Sequence, residues 1–147
     1  MTPTDDLLRL ENQLCFALVT AARNVVALYR PILEPLGLTH PQYLVMLALW
    51  ERAPRTLNDL AVDLAMEPAT ASPLVKRLEA EGLVARQRSS EDERRLEITL
   101  TAAGSALRDR AIDVPHQVMA AVGMGVDEIA ALRDGLGPFA GRRPDLV

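Results

Sequence analysis

Apolar residues recur at helical spacing through most of this chain, and one central stretch leaves that period. Leu7, Leu14, Leu18, Ala21, Val25 and Leu28 form a stripe that predicts a long amphipathic helix from Leu7 to Arg30, ended by Pro31. A helix of that length measures roughly 35 Å, and it is apolar beyond a single stripe. The excess is more than its own domain needs to cover, so a second chain is its natural partner. Ile32–Leu36 reads as a short helical piece stopped by Gly37. Thr39-His40-Pro41-Gln42 is a capping-box sequence, in which Thr39 accepts from the Gln42 amide and Gln42 reaches back. The helix it opens runs over Gln42–Trp50, and Leu44, Val45, Leu47 and Leu49 make it central.

Glu51–Arg55 reads as a loop and Arg55–Leu57 as a short third strand. Thr56 or Asn58 caps the next helix, which runs through Leu64 with Leu57, Leu60, Ala61 and Leu64 facing inwards. Met66-Glu67-Pro68 turns into a further helix whose apolar stripe is Ala71, Leu74, Val75 and Leu78. Pro68 suits a first helical position. Pro73 inside the same helix would cost a backbone hydrogen bond, so regular helix is expected from about Ala71. Gly82 ends the helix, because a residue without Cβ takes the left-handed conformation readily. Two strands follow, Leu83–Gln87 and Leu96–Leu100, joined by the polar run Arg88–Arg95. Thr101 caps a helix from Ala102 to about Val122, apolar at Ala106, Ala111, Ile112, Val114 and Val118 and bent at Pro115. Gly123-Met124-Gly125 breaks it, Asp127–Leu136 is the last helix, and the tail GPFAGRRPDLV does not continue it.

The expected fold is mainly α with a small β-hairpin wing. Residues 37–101 form a winged helix-turn-helix, and residues 1–36 and 102–147 a helical dimerisation region of the same continuous domain. At 147 residues the chain can bury a real core. With 49 % apolar and only 3 % aromatic residues, that core is packed through Leu, Ala and Val. No apolar run is expected to reach membrane-spanning length, and Met1–Arg9 lacks a signal-peptide core, so a cytoplasmic protein with no membrane partner is expected.

A helix packed on one face and open on the other, beside an arginine-tipped ribbon, can enter two neighbouring DNA grooves. Ala69, Thr70, Ser72, Lys76 and Arg77 lie off the apolar stripe. Small side chains there allow close approach to base edges, where Lys or Arg pairs with guanine and Thr or Ser reaches bases or phosphates. The net charge of −4 argues mildly against a nucleic-acid partner. Lys76, Arg77, Arg86, Arg88, Arg94 and Arg95 face five acids between Glu79 and Glu93, so binding must depend on where the arginines point. Taken alone, Ser89–Arg95 is a solvated hairpin loop; in this setting Arg94, oriented by Asp92, is a candidate for a narrow minor groove.

Cys15 is the only cysteine, which excludes an intrachain disulfide and a multi-cysteine zinc site. With only His40 and His116 beside it, neither a structural metal nor a cofactor is expected. A lone cysteine on an apolar helical face is ordinarily an inert core residue. Tyr29 lies close to the same helical face but roughly 21 Å along the axis. It cannot touch Cys15 of its own chain, whereas Tyr29 of an antiparallel partner could, in a site built only in a dimer.

Several of these stretches resemble a known family. Asp92-Glu93-Arg94-Arg95-Leu96 with Leu100-Thr101 is similar to the wing of the MarR family of bacterial regulators. Glu11-Asn12-Gln13-Leu14-Cys15-Phe16-Ala17-Leu18, Tyr29-Arg30-Pro31, Leu36-Gly37-Leu38-Thr39, Pro41-Gln42-Tyr43-Leu44-Val45-Met46 and Pro73-Leu74-Val75-Lys76-Arg77-Leu78-Glu79 resemble its organic-hydroperoxide-sensing, OhrR-type branch. The resemblance covers residues about 8–115. It implies a homodimeric repressor, not an enzyme, that binds double-stranded operator DNA. An organic hydroperoxide would oxidise its cysteine to a sulfenic acid and release the DNA. It also implies that phenols of the partner chain hold the thiolate. Tyr29 matches one such position, while His40 and Val19 stand at two others usually held by tyrosine. His40 is expected to take the tyrosine's place as an imidazolium. The lack of a second cysteine fits the one-cysteine subtype, whose sulfenic acid proceeds to a mixed disulfide with a low-molecular-weight thiol or overoxidises. Pro68 and Ala69 depart from the polar, Gly-containing residues usual in that branch, which bears on the operator.

Three other readings remain at this point. One is a MarR-type regulator that binds a small aromatic ligand between the arms, with Cys15 structural. Another is a thiol peroxidase using Cys15, against which stand the missing resolving cysteine and the absence of a βαβ pattern. The third is a winged helix used only for protein contacts, which the basic reading face disfavours.

Overall fold

Three threonines set the starts of three helices. Thr39 Oγ1 accepts from the Gln42 amide while Gln42 Oε1 accepts from the Thr39 amide, closing the expected box. Thr56, and not Asn58, caps the next helix through the Asp59 amide, and Thr101 accepts from the Gly104 amide. The computed structural model describes residues 3–139. In chain order it contains α1 (Pro3–Leu7), α2 (Leu14–Leu33), α3 (His40–Glu51), β1 (Arg55–Thr56), α4 (Leu57–Asp63), α5 (Pro68–Ala80), β2 (Val84–Arg88), β3 (Leu96–Leu100), α6 (Ala102–Ala111), α7 (Val114–Val122) and α8 (Val126–Gly135). Single 3₁₀ turns cover Leu10–Asn12 and Glu34–Leu36. Gly37, at φ 71°, stops the second of these. The strands form one antiparallel sheet in the order β1-β3-β2, with Arg86 opposite Ile98 and Arg55 opposite the same residue on the other side.

Several boundaries differ from expectation. The first long helix does not run from Leu7. The Gln13 side-chain amide donates to the carbonyls of Leu7 and Arg9, and such local side-chain bonds offer the backbone an alternative to helix. Nor does Pro31 end α2, which continues to Leu33. Pro73 likewise lies inside α5, which starts at Pro68 rather than near Ala71. An interior proline costs about 3 kcal/mol. Complete burial of one large apolar side chain contributes about 1.5–3 kcal/mol, and each proline is followed by such residues. Leu33 is fully buried after Pro31, and Val75 and Leu78 are buried after Pro73. The helix expected over Ala102–Val122 is two helices, because the chain turns at Ile112-Asp113 and Pro115 enters the first turn of α7.

The core runs through Leu33, Val45, Met46, Leu49, Leu60, Leu78, Val84, Ile98 and Val114, so every central element contributes to one cluster. On α3 the inward residues are Val45, Met46, Ala48 and Leu49, whereas Leu47 is exposed; Ile112 is exposed as well. Gly137–Phe139 form a turn after α8, and the rest of the expected non-helical tail, 140–147, lies outside the described residues. By contrast α2 buries only Leu33. Contrary to expectation, the stretch Leu14–Leu36 is long and apolar enough on average to span a bilayer. An uncovered protein face has the same composition, and Leu14, Phe16, Val19, Val25 and Val26 are exposed on this helix.

One junction ties these elements together. Thr101 Oγ1 donates to the Gly82 carbonyl (2.6 Å), the Thr101 amide donates to the Leu83 carbonyl, and Trp50 Nε1 donates to the Gly104 carbonyl (2.9 Å). Gly104 sits where a Cβ would overlap the Leu83 carbonyl oxygen, so α6 can approach the hairpin only without a side chain. Gly104→Ala is therefore expected to destabilise the fold by about 1–3 kcal/mol, read as a lower midpoint in urea at unchanged slope.

Candidate functional site

The reading unit is α4, a four-residue turn, α5 and the β2–β3 wing. In the turn, Ala65 adopts φ 53°, and the Met66 amide donates to the Ala61 carbonyl. This is a position glycine favours, and an alanine there carries backbone strain. On α5, Ala71, Val75 and Leu78 are buried while Ala69, Thr70, Lys76 and Arg77 are exposed; Ser72 is half-buried. Ala69, Pro73, Lys76 and Ala80 thus lie roughly opposite the buried stripe, at about 100° per residue. Arg77 turns towards one flank, where it lines a cleft of about 850 Å³ with Arg23 and Arg30 of α2 and His40 of α3.

The wing tip is held by its own backbone. The Ser89 amide donates to the Arg95 carbonyl, and Arg88 Nη1 donates to the Glu93 carbonyl (2.8 Å). Asp92 Oδ1 accepts from the Arg94 amide (3.0 Å) and lies 3.5 Å from Arg94 Nε. The Arg94 side chain is 93 % exposed, so nothing in its own chain covers the guanidinium. Arg86 is placed differently. It shares a strand face with buried Val84 and opposes buried Ile98, so it points back towards α5. There its Nη2 and Nε donate to Glu79 Oε1 and Oε2 (3.0 and 3.2 Å), and its amide also donates to Oε2. Hydrogen bonds from the Arg86 guanidinium hold the Glu79 carboxyl below the usual carboxylate range. Sequence reasoning grouped Arg86 with the outward arginines and missed Glu79. The missing signal is strand alternation, which puts Arg86 on the face of Val84.

Cys15 lies in the first turn of α2 and is exposed. Tyr29 is on the same helix, about 21 Å away. Cys15, Val19, Ala22, Val26, Tyr29 and Leu33 recur every three or four residues and share one face. The winged domain covers this face at Leu33 and half-covers it at Tyr29, and leaves it bare back to Cys15. Tyr29 and His40 are together, with ring centroids 4.8 Å apart. Tyr43, which sequence reasoning quoted without a role, joins them at 5.9 Å from Tyr29. Burial raises both phenols and lowers the His40 imidazole, so at neutral pH the cluster presents hydroxyl donors and a neutral ring. An imidazolium at His40 would have to form against this burial. Among the described residues, no group of three or more His, Cys, Asp or Glu side chains is placed to hold a metal.

The family model described as transcriptional regulator SarA/Rot matches residues 27–110. The organic hydroperoxide resistance transcriptional regulator of Bacillus subtilis is 37 % identical over 131 residues, covering 89 % of each chain. The chain belongs to the MarR-type winged-helix transcriptional regulators. Among solved structures, AbfR of Staphylococcus epidermidis in an overoxidised form bound to DNA matches with TM-score 0.73 and 34 % identity, over 92 % of this chain and 96 % of that one. BpsR of Bordetella bronchiseptica, whose DNA binding is regulated by 6-hydroxynicotinic acid, matches with TM-score 0.81 and 25 % identity, over 92 % and 98 %. The winged-helix fold of this MarR-type chain is therefore shared with proteins that bind DNA.

The His40 geometry gives a pH dependence. Its folded pKa lies below the unfolded value of about 6.5, so the unfolded chain binds more protons as the pH falls through that range. The stabilisation is complete above about pH 6.5 and is lost on acidification towards the folded pKa. Thermal melts from pH 7.5 to 5.5 should show that loss, and His40→Gln should flatten the profile; an unchanged profile would remove His40 as its source.

Proposed function

We propose that this chain is a homodimeric repressor that binds operator DNA and releases it when an organic hydroperoxide oxidises Cys15. The observation that carries the reading is the single face of α2. It begins bare at Cys15 and ends at the Tyr29–His40 pair, as an antiparallel helix partner would require. A second copy laid along it brings its own Cys15 to this chain's Tyr29 and His40. The identity to a hydroperoxide resistance regulator supports the same chemistry.

In that site the Cys15 thiolate attacks the peroxide O–O bond. The sulfur loses two electrons and gains oxygen, and the alkoxide leaves as alcohol after taking one proton. In this reading Tyr29, kept protonated by burial, donates to the thiolate, and the neutral His40 ring packed against it orients that phenol. A low-molecular-weight thiol then converts the sulfenic acid to a mixed disulfide with loss of water. At the output end, Ala69, Thr70 and Lys76 face a major groove, with Ser72 and Arg77 on its flanks, and Arg94, steadied by Asp92, enters a minor groove. Such work places the protein in the cytoplasm and makes it a stoichiometric sensor rather than an enzyme.

A second reading has its own observation. The cleft between α2 and α5 is lined by Arg23, Arg30 and Arg77 against Glu34 and Glu81, with apolar Ala22, Val26 and Ala27 beside them, and the excess of cations suits a small aromatic anion. There Cys15 would be structural. Cys15→Ser separates the two: it is expected to bind DNA as the wild type does and to ignore cumene hydroperoxide in a gel shift. If peroxide still releases that variant, Cys15 is not the sensor. Arg94→Ala should weaken binding to a duplex selected from a random-sequence pool, by roughly tenfold, and reduce the salt slope by about one; an unchanged affinity would remove Arg94 from the interface.

A further inference from the structure

We propose that Glu79 and Arg86 form a positioning clamp that sets the angle between α5 and the wing, so that one protomer can engage two grooves together. The inference rests on the wing reading given above. Its grounds are where the pair sits and what lies beyond it.

Val84 is the last buried residue of β2 before the strand runs out from the body. Arg86 follows on the same face, and its three hydrogen bonds to Glu79 tie the ribbon to the helix. Further out, Arg88 bonds only within the wing, to the Glu93 carbonyl. On the other edge Thr56 of β1 pairs with Glu97, and the contact of Arg95 with Asp59 of α4 is long at 3.9 Å and half-exposed on both sides. Beyond Glu97, the last residue of β3 that β1 pairs, the ribbon has two strands only, and such a ribbon is soft in twist. Arg94 lies four residues beyond Ile98, the partner of Arg86, or up to about 13 Å at 3.3 Å per residue. A rotation of about 15° at the clamp would move the tip by about 3 Å, enough to break a hydrogen bond. Exposed ion pairs contribute little to folding stability, so the consequence of this one is geometric.

The sign of the effect separates this role from simple charge. Glu79 projects from the reading helix, and removing a carboxylate near phosphates should by Coulomb's law tighten DNA binding. Positioning predicts the opposite. The experiment compares wild type, Glu79→Gln, Arg94→Ala and the double variant as full chains. Each is titrated by fluorescence anisotropy onto a labelled duplex that the wild type has selected from a random-sequence pool. Glu79→Gln is expected to bind about fivefold more weakly, within the range of coupling between neighbouring sites, at an unchanged melting temperature. In the Arg94→Ala background the same substitution should have no effect. Arg86→Lys keeps the charge but loses the two-pronged contact, and should behave as Glu79→Gln does. Equal or tighter binding by Glu79→Gln overturns the clamp, as does the same loss in both backgrounds. If Arg94→Ala itself binds like the wild type, the wing reading fails and takes the clamp with it. A weakened Arg94→Ala beside an unaffected Glu79→Gln rejects the clamp alone.

Discussion

The close approach of α6 to the start of the hairpin, at Gly104 and Leu83, is the contact on which the rest of this fold depends. A backbone carbonyl occupies the volume that a side chain at Gly104 would need. Around that gap, Thr101 bonds the carbonyls of both Gly82 and Leu83, and Trp50 reaches across from α3 to the Gly104 carbonyl. The end of α5, the root of the wing, the first C-terminal helix and the central helix therefore meet at one polar junction. The Trp50 indole N–H and the Gly104 backbone are partly withdrawn from water there, so each needs its partner in place. A reading head built this way has a fixed relation to the body, and the part of the wing free of ladder support from the body is the two-stranded tip beyond Glu97.

The opposite end of the molecule is organised by a helix with too little to cover it. Twenty residues of α2 bury a single leucine, and its apolar face runs bare to Cys15. The winged body meets that helix where Tyr29, His40 and Tyr43 cluster and where Arg77 of α5 borders the same cleft as Arg23 and Arg30. Whatever fills the cleft, a helix of a second copy or a small ligand, lies against the reading helix itself. Burial keeps the phenols protonated and the imidazole neutral there, so the cluster offers hydrogen bonds rather than charge.

Much of this was legible in the residues alone. The capping box at Thr39, the cap at Thr101, the choice of Thr56 or Asn58 for the cap between them, the stop at Gly37, the third short strand at Arg55 and the pairing of Leu96–Leu100 with the preceding strand all follow from signals within a few neighbours. Where the reading failed, the deciding partner was distant or lay outside the pattern consulted. Pro31 and Pro73 look like helix ends until the burial of Leu33, Val75 and Leu78 is set against their cost. Gln13 looks like a helical residue until its amide is seen to hold the carbonyls of Leu7 and Arg9. Arg86 reads as one more basic residue of the wing, and only the strand's alternation over the core turns it to Glu79.

By itself the sequence determined the order and kind of the central elements from α3 to β3, because helix periods, caps and turns are set by groups three or four residues apart. It also determined that a cysteine and a tyrosine share one helical face, and that an arginine-rich ribbon follows a helix with one open side. The tertiary structure alone decided that Glu79 is the carboxylate Arg86 meets, that Tyr29 meets His40, and that Gly104 must lack a side chain. Those outcomes depend on packing between segments far apart in the chain, where a carbonyl or a carboxylate arrives only once the core has closed.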